Sequence, residues 1–135
     1  MNRKLRVAVQ LAVFMAALAS IGLTITAADL DAPATRVLGL IFAAWVAAPY
    51  VVLLHATTRS AADALHGWVL LLATIALAAF GLAIYYDAMF VHLDPQSGIV
   101  FLVVPVWQMI AAGAVVVVLH RRLARRAIES DGGGA

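Results

Sequence analysis

The segment that follows the third apolar stretch contains the residues best suited to bind a metal ion. Asp87, His92 and Asp94 lie close together there, directly after Tyr86. Imidazole and carboxylate groups both bind divalent cations, but three ligands without a fourth form an incomplete set. The alternative assigns each residue an ordinary role in an outer-face loop: Tyr86 as an interfacial aromatic, His92 in solvent and Asp94 as a helix N-cap. We favour this alternative and predict no metal site.

Three further histidines could ligate haem if two of them faced each other inside a bundle. His55, His66 and His120 instead lie at the ends of apolar stretches, beside arginine-containing segments where a histidine is ordinary. The chain has no cysteine, which excludes disulfides and thiolate chemistry. It also has no HExxH motif, no glycine-rich phosphate loop and no serine–histidine arrangement in a suitable context. We therefore predict no cofactor and no enzymatic activity.

Inside the apolar stretches, the polar or helix-bending residues are few: Ser20, Trp45, Pro49, Tyr50, Thr74, Pro105 and Gln108. At about 1.5 Å per residue, Gln108, Ser20 and Trp45 lie about 12–14 Å from the outer ends of their helices. Tyr50 and Thr74 lie deeper, at about 18–20 Å. We expect two polar layers that join helices by hydrogen bonds. The competing interpretation places Gln108 against a transported solute, because intramembrane polar residues can mark pathways.

Four uncharged stretches must position these side chains, and each is long enough to cross a bilayer as a helix. They cover about residues 7–28, 37–54, 68–86 and 99–119, or about 18–22 residues each. The chain is 65% hydrophobic and 12% charged, whereas soluble domains are about 45–50% apolar and about 25% charged. The sequence predicts an all-α membrane protein, a single four-transmembrane-helix bundle over residues 1–127. The glycine-containing residues 128–135 are predicted to form a flexible tail. Pro49 and Pro105 are expected to kink their helices; a hinge is the alternative.

The basic residues predict the orientation of the bundle. Eight of the nine lysines and arginines fall on one side if the four stretches alternate in direction, and only Arg36 falls on the other. The positive-inside rule then places both termini in the cytoplasm of a bacterial-type inner membrane. This asymmetry also explains the basic pI of about 9.5, so we predict no nucleic-acid partner. The first stretch could alternatively be a signal peptide, but it is longer than the usual apolar region, so we favour an uncleaved helix.

Two sequence patterns bear on how the helices pack. Small residues recur every four positions through the first stretch, which predicts a close-packing face and makes this helix the expected most buried one: Ala8, Ala12, Ala16, Ser20, Thr24 and Ala28. Residues 18–25 and 77–84 also align at five of eight positions, and the second and fourth stretches both end in leucine and are followed by a histidine, His55 and His120. This pattern indicates two repeated helical hairpins, unless it reflects only the small alphabet of membrane helices.

From these features we expect a non-catalytic membrane protein that acts as a scaffold, an accessory subunit or a regulator. Its partners would be the lipid bilayer and either further copies of itself or another membrane protein. The alternative is a small oligomeric channel or transporter for a neutral or weakly polar solute. No charged residue lies between the ends of the four stretches, and ion-coupled transport normally requires one there.

Overall fold

The protein is a bundle of four long helices. A computed structural model describes residues 3–27, 33–59, 64–92 and 97–132, and every described residue except His92 is helical. The helices are α1 (Arg3–Ala27), α2 (Pro33–Arg59), α3 (Ala64–Tyr86) and α4 (Val100–Gly132), with a π-helical turn at Asp87–Val91 and a 3₁₀ turn at Ser97–Ile99. Each of the four is long and apolar enough to cross a membrane. The predicted all-α, four-helix membrane bundle is therefore confirmed.

The helices extend beyond the uncharged stretches. α2 begins at Pro33, the first-position proline that suits a helix start, because proline lacks the N–H that would be unpaired there. The π-helical turn carries the helical path of α3 to Val91, where a loop is predicted from the sequence. α4 continues to Gly132, so residues 128–132 are helical where a flexible tail is predicted. No proline or glycine interrupts α4 after Gly113, which leaves its last turns without a helix breaker before Gly132.

Around the bundle, α1 lies between α2 and α3, and α4 closes the ring by contacting both α2 and α3. Because successive helices run in opposite directions, α1 and α3 are parallel neighbours, and so are α2 and α4. A twofold axis along the bundle that exchanged the two hairpins would instead place α1 opposite α3. The hairpins therefore lie side by side rather than in twofold symmetry.

The side chains that fill the bundle are mostly small or branched apolar residues, and the exterior is apolar too. One buried cluster includes Val13, Leu53 and Leu70, and a second joins Val46 to Phe101. Large apolar side chains such as Leu40 and Met15 are more than 60% exposed on the outside. An exterior of this kind suits a hydrocarbon environment, where apolar surface carries no penalty.

The expectation for α1 is only partly met. Its buried face follows Val9, Val13, Ala16, Ser20 and Thr24, whereas Ala8 is exposed and Ala12 half-buried. A strict four-residue repeat drifts around a helix of 3.6 residues per turn, so it cannot keep to one face over this length. The expectation that α1 is the most buried helix is wrong: among the residues whose burial is described, eight of α2 are buried, against five of α1.

Candidate functional site

A buried polar cluster, formed by Ser20, Tyr50 and Gln108 with the backbone of Leu77, joins all four helices near the middle of the bundle. Gln108 of α4 is 1% exposed. Its Nε2 donates to the Leu77 carbonyl of α3 at 2.8 Å and lies 3.5 Å from Tyr50 Oη of α2. Ser20 Oγ of α1 donates to the same Tyr50 oxygen at 3.3 Å. One glutamine and two hydroxyl groups thus connect four helices without any formal charge.

Gly81 makes this arrangement possible. A Cβ atom at position 81 would overlap the Gln108 amide, because Nε2 and Cδ lie in the space that a side chain there would occupy. In a helix, side chains lean toward the N-terminus and cover the preceding turn. Gly81 lies one turn after Leu77 and has no side chain, so the Leu77 carbonyl is accessible to a donor from α4. Gly81 is itself buried.

The cluster differs from the two polar layers predicted from helix depth. Tyr50, assigned to the deeper layer with Thr74, reaches Ser20 and Gln108 of the shallower layer. The tyrosine ring is long, and side chains of a helix lean toward its N-terminus, which for α2 is the end nearer Ser20 and Gln108. Thr74 instead donates to the Leu70 carbonyl of its own helix at 2.8 Å and joins no other helix.

Trp45 forms a separate link between α2 and α4. Its indole Nε1 donates to the Leu102 carbonyl at 3.3 Å, and the side chain is partly exposed at the bundle surface. Pro105 follows three residues later and removes one backbone donor from this part of α4. Pro49, within α2, and Pro105 are both buried. The prolines therefore lie inside the bundle, close to the residues that connect α2 with α4.

At the C-terminal end of α3, two of the candidate loop residues contact each other. His92 Nδ1 lies 3.1 Å from both carboxylate oxygens of Asp87, and both side chains are mostly exposed. His92 is exposed to solvent, as expected, and in addition it contacts Asp87. Tyr86 is exposed and packs on Phe90, with ring centroids 5.0 Å apart. Asp94 lies outside the described residues. Among the described residues, no group of three or more metal-ligating side chains occurs.

Tyr85 differs from its neighbour because it points inward. Two adjacent tyrosines at the end of a span would both suit the membrane interface, but Tyr85 is fully buried and stacks on Phe101, with ring centroids 4.7 Å apart and an interplanar angle of 3°. Its hydroxyl has no hydrogen-bond partner among the described residues. The Gln108 Oε1 atom is likewise buried without a partner there.

The remaining histidines lie at the opposite end of the bundle, which we call the basic end because it contains Arg3–Arg6 and Arg121–Arg125. His66 of α3 is buried, and its Nε2 lies 3.4 Å from the Leu119 carbonyl of α4. His55 of α2 and His120 of α4 are exposed and line a cavity of about 380 Å³ between these helices. The other lining residues are apolar.

The sequence predicts Ser20, Tyr50 and Gln108 as candidates, but it predicts neither the contacts that join them nor the role of Gly81. A glycine within a buried helix was the available signal, since it often marks close approach of another group. Chemically, the cluster offers only neutral donors and acceptors. It contains no carboxylate, histidine, lysine or arginine side chain. Comparison with known protein families, with curated proteins and with solved structures finds no match for this chain.

Proposed function

We propose that this protein is a non-catalytic component of a bacterial-type inner membrane, acting as a scaffold, an accessory subunit or a regulator of a membrane partner. The observation that carries the proposal is the enclosure of Gln108, the residue best placed to contact a solute. Its amide donates to two other helices and lies against Gly81, in the space that a pathway would need. An interior filled in this way favours a structural role.

The opposing candidate is an oligomeric pore for a neutral solute. One observation favours it: Gln108 Oε1 is a buried acceptor without a partner among the described residues, and a buried acceptor usually has one. A water molecule or a solute hydroxyl would supply the missing donor. A continuous pathway would require Gln108 to leave the Leu77 carbonyl, which makes this the less favoured function.

A flux assay on proteoliposomes separates the two functions. We expect glycerol and urea to enter vesicles containing the protein no faster than protein-free vesicles. Gln108→Leu should then change stability by about 1 kcal/mol or less, as is typical of an interhelical hydrogen bond in a membrane protein. Thr74→Val is the matched control, because Thr74 is buried but bonds only within α3. Rapid flux that Gln108→Leu abolishes in a folded protein, and that Thr74→Val retains, would establish the pore.

Orientation is part of the same proposal. Eight of nine basic residues flank one end of the bundle, which supports cytoplasmic termini. Reporter domains fused after Arg126, or inserted within residues 56–64, should report the cytoplasm. Reporters near Pro33 and Gln96 should report the outside. An external C-terminus would contradict the orientation.

The partner-binding surface in this proposal is the exterior of the bundle. Trp107, next to Gln108 in sequence, is 62% exposed on α4 well inside the span. Tryptophan normally concentrates at membrane interfaces, where its N–H can reach water or headgroups. A photo-crosslinking residue at Trp107 should give discrete adducts with protein in cells, whereas the same residue at the enclosed Gln108 should not. Adducts with lipid alone at exposed positions would contradict a protein partner.

A further inference from the structure

The cavity between α2 and α4 differs from the rest of the bundle because it is open, apolar and next to concentrated positive charge. Val52 and Ala56 form its α2 wall, and Val116, Leu119 and Leu123 form its α4 wall. Leu119 is held from behind, since its carbonyl lies 3.4 Å from His66 Nε2. At about 380 Å³ the cavity has the size of ordinary small-ligand sites.

The mouth of the cavity lies at the depth expected for lipid headgroups. His55 and His120 are about 33 and 30 Å along their helices from the opposite end of the bundle, close to the thickness of a hydrocarbon core. The next residues of α4 include Arg121, Arg122 and Arg125, whose side chains are all exposed. Toward the middle of the bundle, only apolar residues line the cavity. The site therefore has a histidine-lined mouth next to an arginine-rich segment of α4, and a hydrocarbon-like interior.

We propose that this cavity binds an anionic phospholipid of the cytoplasmic leaflet. One acyl chain occupies the apolar part between α2 and α4, and the phosphate lies at the mouth beside His55 and His120, where the arginines in the next turns of α4 add positive potential. Basic pockets between transmembrane helices on the cytoplasmic side are a recurrent form of lipid recognition. The proposal rests on the membrane orientation argued above. It commits to lipid because an aqueous anion would gain nothing from the apolar walls.

The cavity has a histidine on each side because α2 and α4 are parallel neighbours. α2 and α4 run in the same direction and end at the same face, so both terminal histidines come to one cavity. In an antiparallel pair, the histidine of one helix would lie at the opposite face from that of the other. The Leu-His endings recognised in the sequence thus mark the mouth of the site.

Binding can be measured on the purified full-length chain by native mass spectrometry. Phosphatidylglycerol is compared with phosphatidylcholine of identical acyl chains, with glycerol 3-phosphate as the headgroup alone and diacylglycerol as the chains alone. We expect retention of phosphatidylglycerol in preference to the other three ligands. Each arginine near a surface changes anionic-lipid binding by about fivefold, so Arg121→Gln with Arg122→Gln should weaken retention by about 25-fold.

Two matched variants separate the cavity from general attraction of lipid to a basic surface. Val52 is half-buried and lines the cavity, whereas Val117 is exposed on α4 and does not. Val52→Phe should fill the cavity and reduce phosphatidylglycerol retention to the phosphatidylcholine level, while Val117→Phe should leave it unchanged. If Val52→Phe lowers the melting temperature, Ala56→Leu provides a second filling variant.

Two results would overturn the lipid-binding proposal. Equal retention by Val52→Phe, Ala56→Leu and Val117→Phe variants would overturn the proposal, because the lipid would then bind only to the charged surface. Retention of glycerol 3-phosphate as strong as that of phosphatidylglycerol would also overturn it, in favour of a free-anion site. These results are independent of the flux assay and the crosslinking at Trp107, so failure here would not decide the scaffold proposal.

Discussion

Replacing Gly81 with alanine tests whether the Gln108 cluster organises the bundle. The new methyl group would overlap the Gln108 amide, so that amide must leave its position. Gln108 would then lose its hydrogen bonds to the Leu77 carbonyl and the Tyr50 hydroxyl. Interhelical hydrogen bonds in membrane proteins average about 0.6 kcal/mol, so the two bonds amount to about 1.2 kcal/mol.

Two further contributions to the free energy of unfolding of Gly81→Ala have opposite signs. A displaced amide left unsatisfied in the interior costs about 1–3 kcal/mol. Alanine is the better helix former and gains back up to about 1 kcal/mol over glycine. We therefore expect Gly81→Ala to lower the free energy of unfolding by about 1–3 kcal/mol. Gly22→Ala is the matched control, because Gly22 is exposed with open space at the Cβ position, and it should be neutral or slightly stabilising.

A double-mutant cycle gives the decisive measurement. Unfolding is followed by tryptophan fluorescence in mixed micelles for wild type, Gly81→Ala, Gln108→Ala and the double variant. With the long amide removed, alanine at position 81 meets no obstacle, so Gly81→Ala should become neutral or stabilising in the Gln108→Ala background. A coupling energy of about 2 kcal/mol is the expected result, within the range for contacting residues. If Gly81→Ala costs the same in both backgrounds, Gly81 does not act by admitting Gln108, and the reasoning is refuted.

Three other substitutions test the remaining contacts by the same unfolding measurement. Ala16→Leu should destabilise the bundle by about 1–3 kcal/mol because Ala16 is buried, whereas Leu11→Ala on the exposed face should cost much less; equal effects would show that this face of α1 is not an interface. Trp45→Phe removes the indole hydrogen bond to the α4 backbone and should cost about 0.6 kcal/mol, so a loss above about 2 kcal/mol would indicate a larger packing role. Asp87→Asn removes the carboxylate charge from the exposed contact with His92 and should change stability by less than about 0.5 kcal/mol; a large loss would mean that this contact orders the C-terminal end of α3.

The number and approximate limits of the helices could be predicted from the sequence because an uncharged stretch of sufficient length has few alternatives in a membrane. The helix ends were harder to predict. α4 continues well past residue 119 through Arg121 and Arg125, because charged side chains end a hydrocarbon span without ending a helix. Hydropathy therefore locates the membrane-spanning part of a helix and underestimates the helix itself.

The candidate polar residues could be predicted, but their partners could not. Rise per residue gives the depth of a Cα atom, and Tyr50 shows that a long side chain can carry its polar atom to a different level. A buried polar side chain at a suitable depth also need not join two helices, because the Thr74 hydroxyl donates to a carbonyl of its own helix. Tyr85 and Tyr86 are adjacent and identical, yet one is buried and the other exposed. Only the direction in which each residue faces on α3 separates them.

Corresponding positions of the two proposed hairpins have different surroundings in the bundle. Gly22 and Gly81 align in the two proposed hairpins, but Gly22 faces open space and Gly81 faces Gln108. Pro49 precedes its terminal histidine by 6 residues, whereas Pro105 precedes its terminal histidine by 15, so the prolines do not correspond. The hairpins nevertheless place two histidines at one cavity mouth because α2 and α4 are parallel neighbours. Such a cavity requires only that two helices of the same direction be adjacent, and it carries no weight as evidence for duplication.

The polar cluster and the cavity have opposite physical characters, which determines where function should be sought. The cluster uses neutral groups that form hydrogen bonds across four helices, and Gly81 leaves the space that the Gln108 amide needs for this. Such a centre resists the separation of helices that a central pathway would require. The cavity opens to the outside of the bundle, close to the arginine-containing turns of α4. Changes at the cluster should therefore act through stability, whereas changes at the cavity should alter lipid binding in a protein that remains folded.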